Sequence, residues 1–247
     1  MKICRFSKDE NLRIGIVEGE EIWVCDTELR KTEELWYTNE VKVLAPVKPS
    51  KIVCVGRNYA EHAAELGNDV PKEPLLFLKA PSAVIASGEP IVIPSQSVQV
   101  EHEGELAVII GRLCKSLSVD DEPFKYVLGY TCLNDVTARD IQRKDVQFTR
   151  GKSFDTFCPI GPYIETELDV TDIRVTTRVN GTIMQDSRTS QMVFPVDFLI
   201  RYISSMMTLL PGDVIATGTP SGVSKLSSND VCQVDIEGIG TLTSPVK

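Results

Sequence analysis

Val98-Gln-Val-Glu-His-Glu-Gly-Glu-Leu-Ala-Val-Ile-Ile110 places two demands on the fold. Its second half is apolar enough for a buried strand, while its first half carries Glu101, Glu103 and Glu105 at alternate positions. Alternate side chains of a strand share a face, so the three carboxylates project together, neighbours roughly 6.6 Å apart along the backbone. A row of like charges entering a core strand is costly unless something positive neutralises it, and a divalent cation does so most directly. Periodicity leaves open which two of the three would bind. An isolated Glu-x-Glu pair more often marks a solvated strand face, but the apolar run after Glu105 argues against solvent there. His102 falls on the opposite face of a regular strand and reads as a packed side chain.

The 247-residue chain has 42% hydrophobic and 25% charged residues, enough to bury a sizeable core without staples. Its net charge of −9 and lack of a basic cluster argue against nucleic acid or an anionic membrane as partner. The seven cysteines form no CxxC pair, which favours reduced thiols over a disulfide framework. No run approaches the roughly 18 apolar residues of a membrane span, and the N-terminal residues lack an apolar leader core, so a cytoplasmic protein is expected.

Working outward, residues 1–45 read as a small β-rich appendage, with strands at Lys2–Phe6, Leu12–Val17 and Glu21–Cys25, and an acidic, poorly periodic stretch to Glu40. Residues 46–247 read as the catalytic domain. It opens with a strand at Lys51–Val55 and a short helix that Asn58 can cap and Gly67 ends. Strands follow at Leu75–Leu78, Ala83–Ala86, Ile91–Ile93 and Gly129–Leu133. Asn180-Gly181 joins Val175–Val179 to Thr182–Met184 as a hairpin, Pro195–Met207 is the clearest helix, with Pro195 in its first turn, and strands at Asp213–Ala216, Val231–Ile236 and Gly240–Thr243 close the chain. Strands outnumber helices, which predicts a mixed, largely antiparallel β fold.

Beyond the glutamate strand, Asp135 in Asn134-Asp-Val-Thr-Ala-Arg-Asp140 would complete an all-oxygen site with Glu103 and Glu105, suited to magnesium, manganese or calcium rather than zinc. His62 and Glu65, three apart, share a helix face and form a dyad able to activate water, although such a pair is commonly an inconsequential surface contact. Arg139, Gln142 and Lys152 could hold a carboxylate, and the loop Ala216–Gly222 could offer backbone N–H groups and the Thr219 hydroxyl. That loop is not a Walker A motif, since no Gly-Lys-Ser/Thr closes it.

Six stretches in order, beginning at Gly56-Arg-Asn-Tyr-Ala-Glu-His-Ala-Ala-Glu65 and continuing through Phe77-Leu-Lys-Ala-Pro-Ser-Ala83, His102-Glu-Gly-Glu-Leu-Ala-Val-Ile-Ile-Gly111, Asn134–Asp140, Gly151-Lys-Ser-Phe-Asp155 and Thr217-Gly-Thr-Pro-Ser-Gly-Val223, resemble the fumarylacetoacetate hydrolase superfamily over residues 51–247. The resemblance implies a β-roll or β-sandwich catalytic domain with a small N-terminal β-rich appendage. It implies Mg2+ or Mn2+ on Glu103, Glu105 and Asp135, with Ca2+ able to replace them in a crystal. It also implies His62 and Glu65 on a lid-like helix as the water-activating dyad, and Lys152 as the group that meets developing charge. Arg57, Asn58, Phe77, Lys79, Arg139, Gln142 and Thr219 match substrate-contacting or cavity-lining positions. Gly104 departs from the larger apolar residue usual there. The implied activity is metal-dependent hydrolysis of a carbon-carbon bond in an acylpyruvate-type 2-oxo acid through an enolate. Oxaloacetate decarboxylase or tautomerase, or a 5-carboxymethyl-2-hydroxymuconate-type isomerase, is the alternative on the same scaffold, and a non-catalytic acid-binding module ranks last. A small 2-oxo acid and a second copy of the chain, as a homodimer, are the expected partners.

Overall fold

A computed structural model describes residues 1–247. The first strands are β1 (Lys2–Lys8), β2 (Asn11–Glu18), β3 (Glu21–Cys25), β4 (Lys31–Tyr37) and β5 (Lys42–Leu44). Next come β6 (Ile52–Gly56), helix α1 (Ala60–Glu65), β7 (Leu75–Lys79), β8 (Val84–Ile85), β9 (Val100–Glu101), β10 (Gly104–Ile110), β11 (Val127–Asn134) and β12 (Thr137–Ala138). Helices α2 (Arg139–Lys144) and α3 (Thr149–Lys152) lead to β13 (Cys158–Glu165), β14 (Arg174–Val179) and β15 (Thr182–Arg188). Helix α4 (Val196–Met206), β16 (Val214–Ala216), β17 (Val231–Ile236) and β18 (Gly240–Pro245) complete the order.

One hydrogen-bonded path runs β4-β3-β2-β1-β13-β11-β10-β16-β6-β7, and with β5 on β1 and β8 on β13 it makes a twelve-stranded sheet. Strands β15-β14-β17-β18 form a second sheet, and β9 with β12 a short ribbon. Only β6–β16 and β8–β13 pair in parallel, so the expected mixed, largely antiparallel β fold with few helices is the fold observed.

Strand β10 lies at the centre and is clad on both faces. Leu106, Val108 and Ile110 pack with Val175, Val234, Leu199 and Ile203; Ala107 and Ile109 pack with Ile52, Leu133 and Val214. Full burial of each large aliphatic side chain contributes about 1.5–3 kcal/mol, which holds the charged end of the same strand in place. By the twofold alternation, Glu105 shares the face of Ala107 and Ile109, while Gly104 shares that of Leu106. A Cβ at Gly104 would lie 2.0 Å from Thr177 Oγ1 of β14 and 3.2 Å from Val234 Cγ1 of β17, so only glycine lets the two sheets approach there.

Local structure departs from the sequence expectation at several points. The glutamate strand is interrupted, since β9 ends at Glu101 and β10 begins at Gly104. Strand β13 is hidden in sequence by Pro159 and Pro162, and edge strand β4 lies in the acidic stretch that shows no clear period. Ile91–Ile93 supplies one bridge, Ile91 to Val246, and no strand. Helix α1 is capped by Tyr59 without a side-chain bond, so Asn58 is not its cap, and Pro195 is the N-cap of α4 rather than a first-turn residue. The Asn180-Gly181 hairpin is present, with both residues at positive φ.

The N-terminal strands enclose their own small core of Cys4, Phe6, Val17, Ile22 and Val24. They also extend the large sheet, because β1 pairs with β13 at Lys2–Glu165 and Ile3–Ile164. All seven cysteines are free thiols. No helix is long and apolar enough to cross a membrane.

Candidate active site

The register Gly104–Asn134 sets the end of β11 beside the start of β10. Asn134 Oδ1 accepts the Glu103 N–H at 2.9 Å, and the Asp135 N–H donates to the Glu103 carbonyl at 2.8 Å. These bonds bring Asp135 to the two glutamates. Ligand oxygens of Glu103, Glu105 and Asp135 all lie within 4.8 Å of one another, and all three residues are buried.

Three cations enter this cluster. Lys152, at the end of α3, donates to Glu103 Oε2 at 2.6 Å and Asp135 Oδ2 at 2.7 Å, and its ammonium lies 5.0 Å from the Phe77 ring centre. Lys79 donates to Asp135 Oδ1 at 2.5 Å and to the Val136 carbonyl at 3.1 Å. Arg139 donates through Nε to Glu101 at 2.7 Å, through Nη2 to Glu103 at 2.5 Å and through Nη1 to Gln142 at 2.7 Å. Burial alone would push Glu103 up, but Lys152 and Arg139 outweigh it and hold the carboxyl well below the usual range. Burial likewise opposes the charge on Lys152, and Asp135 with Glu103 overcomes it, keeping the lysine protonated.

Glu105 differs. Its Oε2 accepts the Gly218 N–H at 2.8 Å, and no cationic side chain bonds it. Burial, then the charges of Asp135 and Glu103, push it well above the ordinary glutamate value. Four buried acidic side chains thus face three buried cations, and the one without a cationic partner lies in the oxygen cluster. An all-oxygen set short of positive charge fits a hard divalent cation held by Glu103, Glu105 and Asp135.

The cluster lines a cavity of about 480 Å³. Its walls include Arg57, His62, Glu65, Phe77, Arg139, Gln142, Lys152 and Thr219, so most of the residues singled out in the sequence converge on one space. His62 is buried and its Nδ1 lies 3.2 Å from Glu65 Oε2; with Nδ1–H donated to that carboxylate, Nε2 keeps the basic lone pair. Glu65 Oε1 accepts the Gly222 N–H at 3.0 Å, tying α1 to the loop after β16.

Four residues expected to contact substrate are engaged with other groups of the protein. Asn58 does not line the cavity; its carboxamide donates to the Phe194 and Thr217 carbonyls and accepts the Phe194 N–H. Lys79 is likewise outside the lining and serves Asp135. Arg139 reaches the cavity wall, but its guanidinium is committed to Glu101, Glu103 and Gln142. The Thr219 hydroxyl donates to the Gly104 carbonyl at 2.9 Å and accepts from Gln185 Nε2 at 2.7 Å, so it is already engaged. Glu101, one of three equivalent candidates by period, is the partner of Arg139 and stands outside the ligand set.

The sequence also left residues unmarked. Arg143 and Phe148 line the cavity, Arg143 one helical turn beyond Arg139 and Phe148 edge-on to Phe77 at 5.6 Å. Neither belongs to a recognisable motif. His102 is fully buried, as its place on the opposite face suggested. Gln185 Oε1 is an acceptor 3.2 Å from His102 Nδ1, which places the proton on Nδ1 and leaves Nε2 to accept from Ser224 Oγ at 2.9 Å. Burial keeps this imidazole neutral by lowering its pKa.

Comparison with known proteins agrees with this geometry. The family described as fumarylacetoacetate (FAA) hydrolase C-terminal matches residues 51–247, and that described as Rv2993c-like, N-terminal matches residues 1–46. A Bacillus subtilis protein named oxaloacetate tautomerase YisK is 43% identical over 228 residues, covering 86% of this chain and 75% of its own. The crystal structure of a Mycobacterium smegmatis 5-carboxymethyl-2-hydroxymuconate delta-isomerase superposes with a TM-score of 0.92 at 42% identity, covering 100% of this chain and 99% of the other. A maleylpyruvate hydrolase from Sphingobium, in complex with manganese(II) and pyruvate, gives a TM-score of 0.82 at 30% identity, covering 100% of this chain and 98% of its own.

Proposed function

The chain belongs to the fumarylacetoacetate hydrolase family and is an enzyme of that superfamily, and on that premise we propose that it interconverts keto and enol forms of a small 2-oxo dicarboxylic acid of the oxaloacetate type. The observation that carries the proposal is the juxtaposition, in one cavity, of the His62–Glu65 dyad with an oxygen cluster short of one cation. A divalent cation, Mg2+ or Mn2+, bound on Glu103, Glu105 and Asp135 would supply Lewis-acid polarisation of the substrate's carboxylate and 2-oxo oxygens.

The chain's own groups account for the rest. His62 Nε2 takes a proton from the carbon next to the 2-oxo group, and Glu65 stabilises the imidazolium that forms. Lys152, held protonated at the cavity wall, offers positive charge where an enolate would develop it. Arg57 and Arg143 also line the cavity, and neither makes an ion pair with an acidic side chain. They suit a second carboxylate on the substrate.

The motifs alone place carbon-carbon hydrolysis first. The 43% identity to an oxaloacetate tautomerase, against 39% to a protein described as a fumarylacetoacetate hydrolase and 30% to a maleylpyruvate hydrolase, supports the reverse order by a narrow margin. Hydrolysis of an acylpyruvate is the second reading, supported by the same dyad acting on water. The deciding experiment supplies Mg2+ or Mn2+ with enolic oxaloacetate, acetylpyruvate and fumarylpyruvate and identifies the products. Rapid loss of enol absorbance without release of pyruvate is expected; faster cleavage of an acylpyruvate to pyruvate would put hydrolysis first. The proposal extends to a homodimer, supported by the exposed face of α4, where Phe198 stacks between Phe194 and Tyr202, and to a cytoplasmic location, supported by seven free thiols; sedimentation analysis tests the assembly.

A further inference from the structure

Strand β16 covers the edge of β10 only at Ala107–Ile109. Beyond that point the polar groups of Gly104, the residue between Glu103 and Glu105, are met by side chains. Its N–H donates to Gln185 Oε1 at 3.0 Å, and its carbonyl accepts from Thr219 Oγ1 at 2.9 Å. Gln185 comes from β15, on the second sheet, and is 1% exposed. Besides accepting from Gly104 and His102, its amide donates to Thr219 Oγ1 and to the Pro220 carbonyl, each at 2.7 Å. The carboxamide therefore makes all four bonds available to it.

These bonds reach two pieces of machinery. The oxygen side holds the backbone between the two glutamate ligands. The nitrogen side holds Thr219 and Pro220, in the loop whose Gly218 N–H binds Glu105 and whose Gly222 N–H binds Glu65. The loop lies so close to β15 that a Cβ at Gly222, where φ is +98°, would be 1.9 Å from the Met184 carbonyl oxygen. We propose that Gln185 is a positioning residue that sets the glutamate pair and the dyad's supporting loop relative to each other, through two separable arms of one side chain. The inference rests on the assignment of Glu103, Glu105 and Asp135 to a cation and of His62–Glu65 to proton transfer.

Two variants separate the arms. Gln185→Met removes both, whereas Gln185→Glu, as the carboxylate at pH 8, keeps acceptors for Gly104 and His102 but loses both N–H donors and faces the Pro220 carbonyl. Mn2+ binding followed by electron paramagnetic resonance, amide exchange over residues 217–222, and kcat with KM are the readouts. For Gln185→Met, at least a tenfold loss of Mn2+ affinity and faster loop exchange are expected. For Gln185→Glu at pH 8, Mn2+ affinity stays within threefold of wild type, loop exchange rises, and kcat falls at least tenfold; lowering the pH, which restores one donor, narrows the ratio of wild-type to variant kcat measured at the same pH with saturating Mn2+. If Gln185→Met does not fold, Gln185→Asn, one methylene short of both arms, takes its place. Variants that only unfold at lower temperature, with Mn2+ affinity and kcat within twofold of wild type, would overturn the proposal; so would equal loss of Mn2+ affinity in both variants. Failure of the wild-type protein to bind Mn2+ would refute the cation assignment and the first arm, while loop exchange still decides the second.

Discussion

Lys152 Nζ lies 2.7 Å from Asp135 Oδ2 with both side chains almost wholly out of solvent, in a buried network that also pairs Lys152 with Glu103 and gives Lys79 its one carboxylate partner, Asp135. Removing one member of such a pair leaves an uncompensated buried ion, which costs about 3–5 kcal/mol. Asp135→Asn withdraws the anion from Lys152 and Lys79 together. It is expected to lower apoprotein stability by about that amount and to abolish Mn2+ binding. Denaturant unfolding and a Mn2+ titration check both; full turnover of this variant in the presence of chelator would refute the cation assignment.

Glu105 responds in the opposite sense. Its carboxyl is raised by burial and by Asp135 and Glu103, so above about pH 4.3 the native apoprotein retains this proton more than the unfolded chain does. With more protons bound in the native state, this residue's contribution to apoprotein stability declines as pH rises. Cation binding expels that proton, so Mn2+ affinity should rise with pH. Glu105→Gln should be at least as stable as wild type at pH 8 yet fail to bind Mn2+. Glu103, held low, contributes stability above the unfolded value that is lost as pH falls, so the wild-type-minus-variant difference isolates Glu105.

Lys152→Met tests charge stabilisation. Loss of one preorganised donor commonly costs about 10²–10³ in kcat. Mn2+ affinity should hold or tighten, because the carboxylates lose a competing cation. A fall in kcat smaller than tenfold would remove Lys152 from the reaction.

His62→Gln should lower turnover by about 10²–10⁴, the usual contribution of a positioned general base, with Mn2+ affinity unchanged. Glu65→Gln should have a smaller effect of the same kind, since it acts through the imidazole. Isotope exchange at the carbon next to the 2-oxo group is the direct measurement, and unchanged exchange in His62→Gln would exclude the dyad.

Arg57 lines the cavity at φ +58°, a backbone conformation that asparagine tolerates. Arg57→Asn should raise KM about tenfold for a dicarboxylate, the equivalent of one lost charge-assisted pair, and leave a monocarboxylic 2-oxo acid unaffected. Equal effects on both substrates would remove Arg57 from substrate selection.

What could be read ahead of the structure follows physical range. The β-rich class, the Asn180-Gly181 hairpin and helix α4 rest on near-neighbour periodicity, and they are present. The cluster of Glu103, Glu105 and Asp135 was visible because register and motif order bring those residues together. Strand β13 escaped because Pro159 and Pro162 suppress its local signal while its support comes from β1 and β11. Gln185 escaped for a similar reason: an isolated glutamine on a hairpin strand gains meaning only when the second sheet presses it against Gly104. Asn58, Lys79 and Arg139 show the limit of a motif: it marks a neighbourhood without saying whether a side chain faces the cavity or the groups that build it.

The seam at Gly104 has a consequence for chimeras. Because a Cβ there would collide with the Thr177 hydroxyl, the ligand strand and the facing strand form one interlocked unit. Transplanting residues 102–111 from a homologue with a bulkier residue at 104 would force the two sheets apart unless residue 177 were made smaller at the same time. Exchange of the metal-binding segment between members of this superfamily is therefore a two-strand operation.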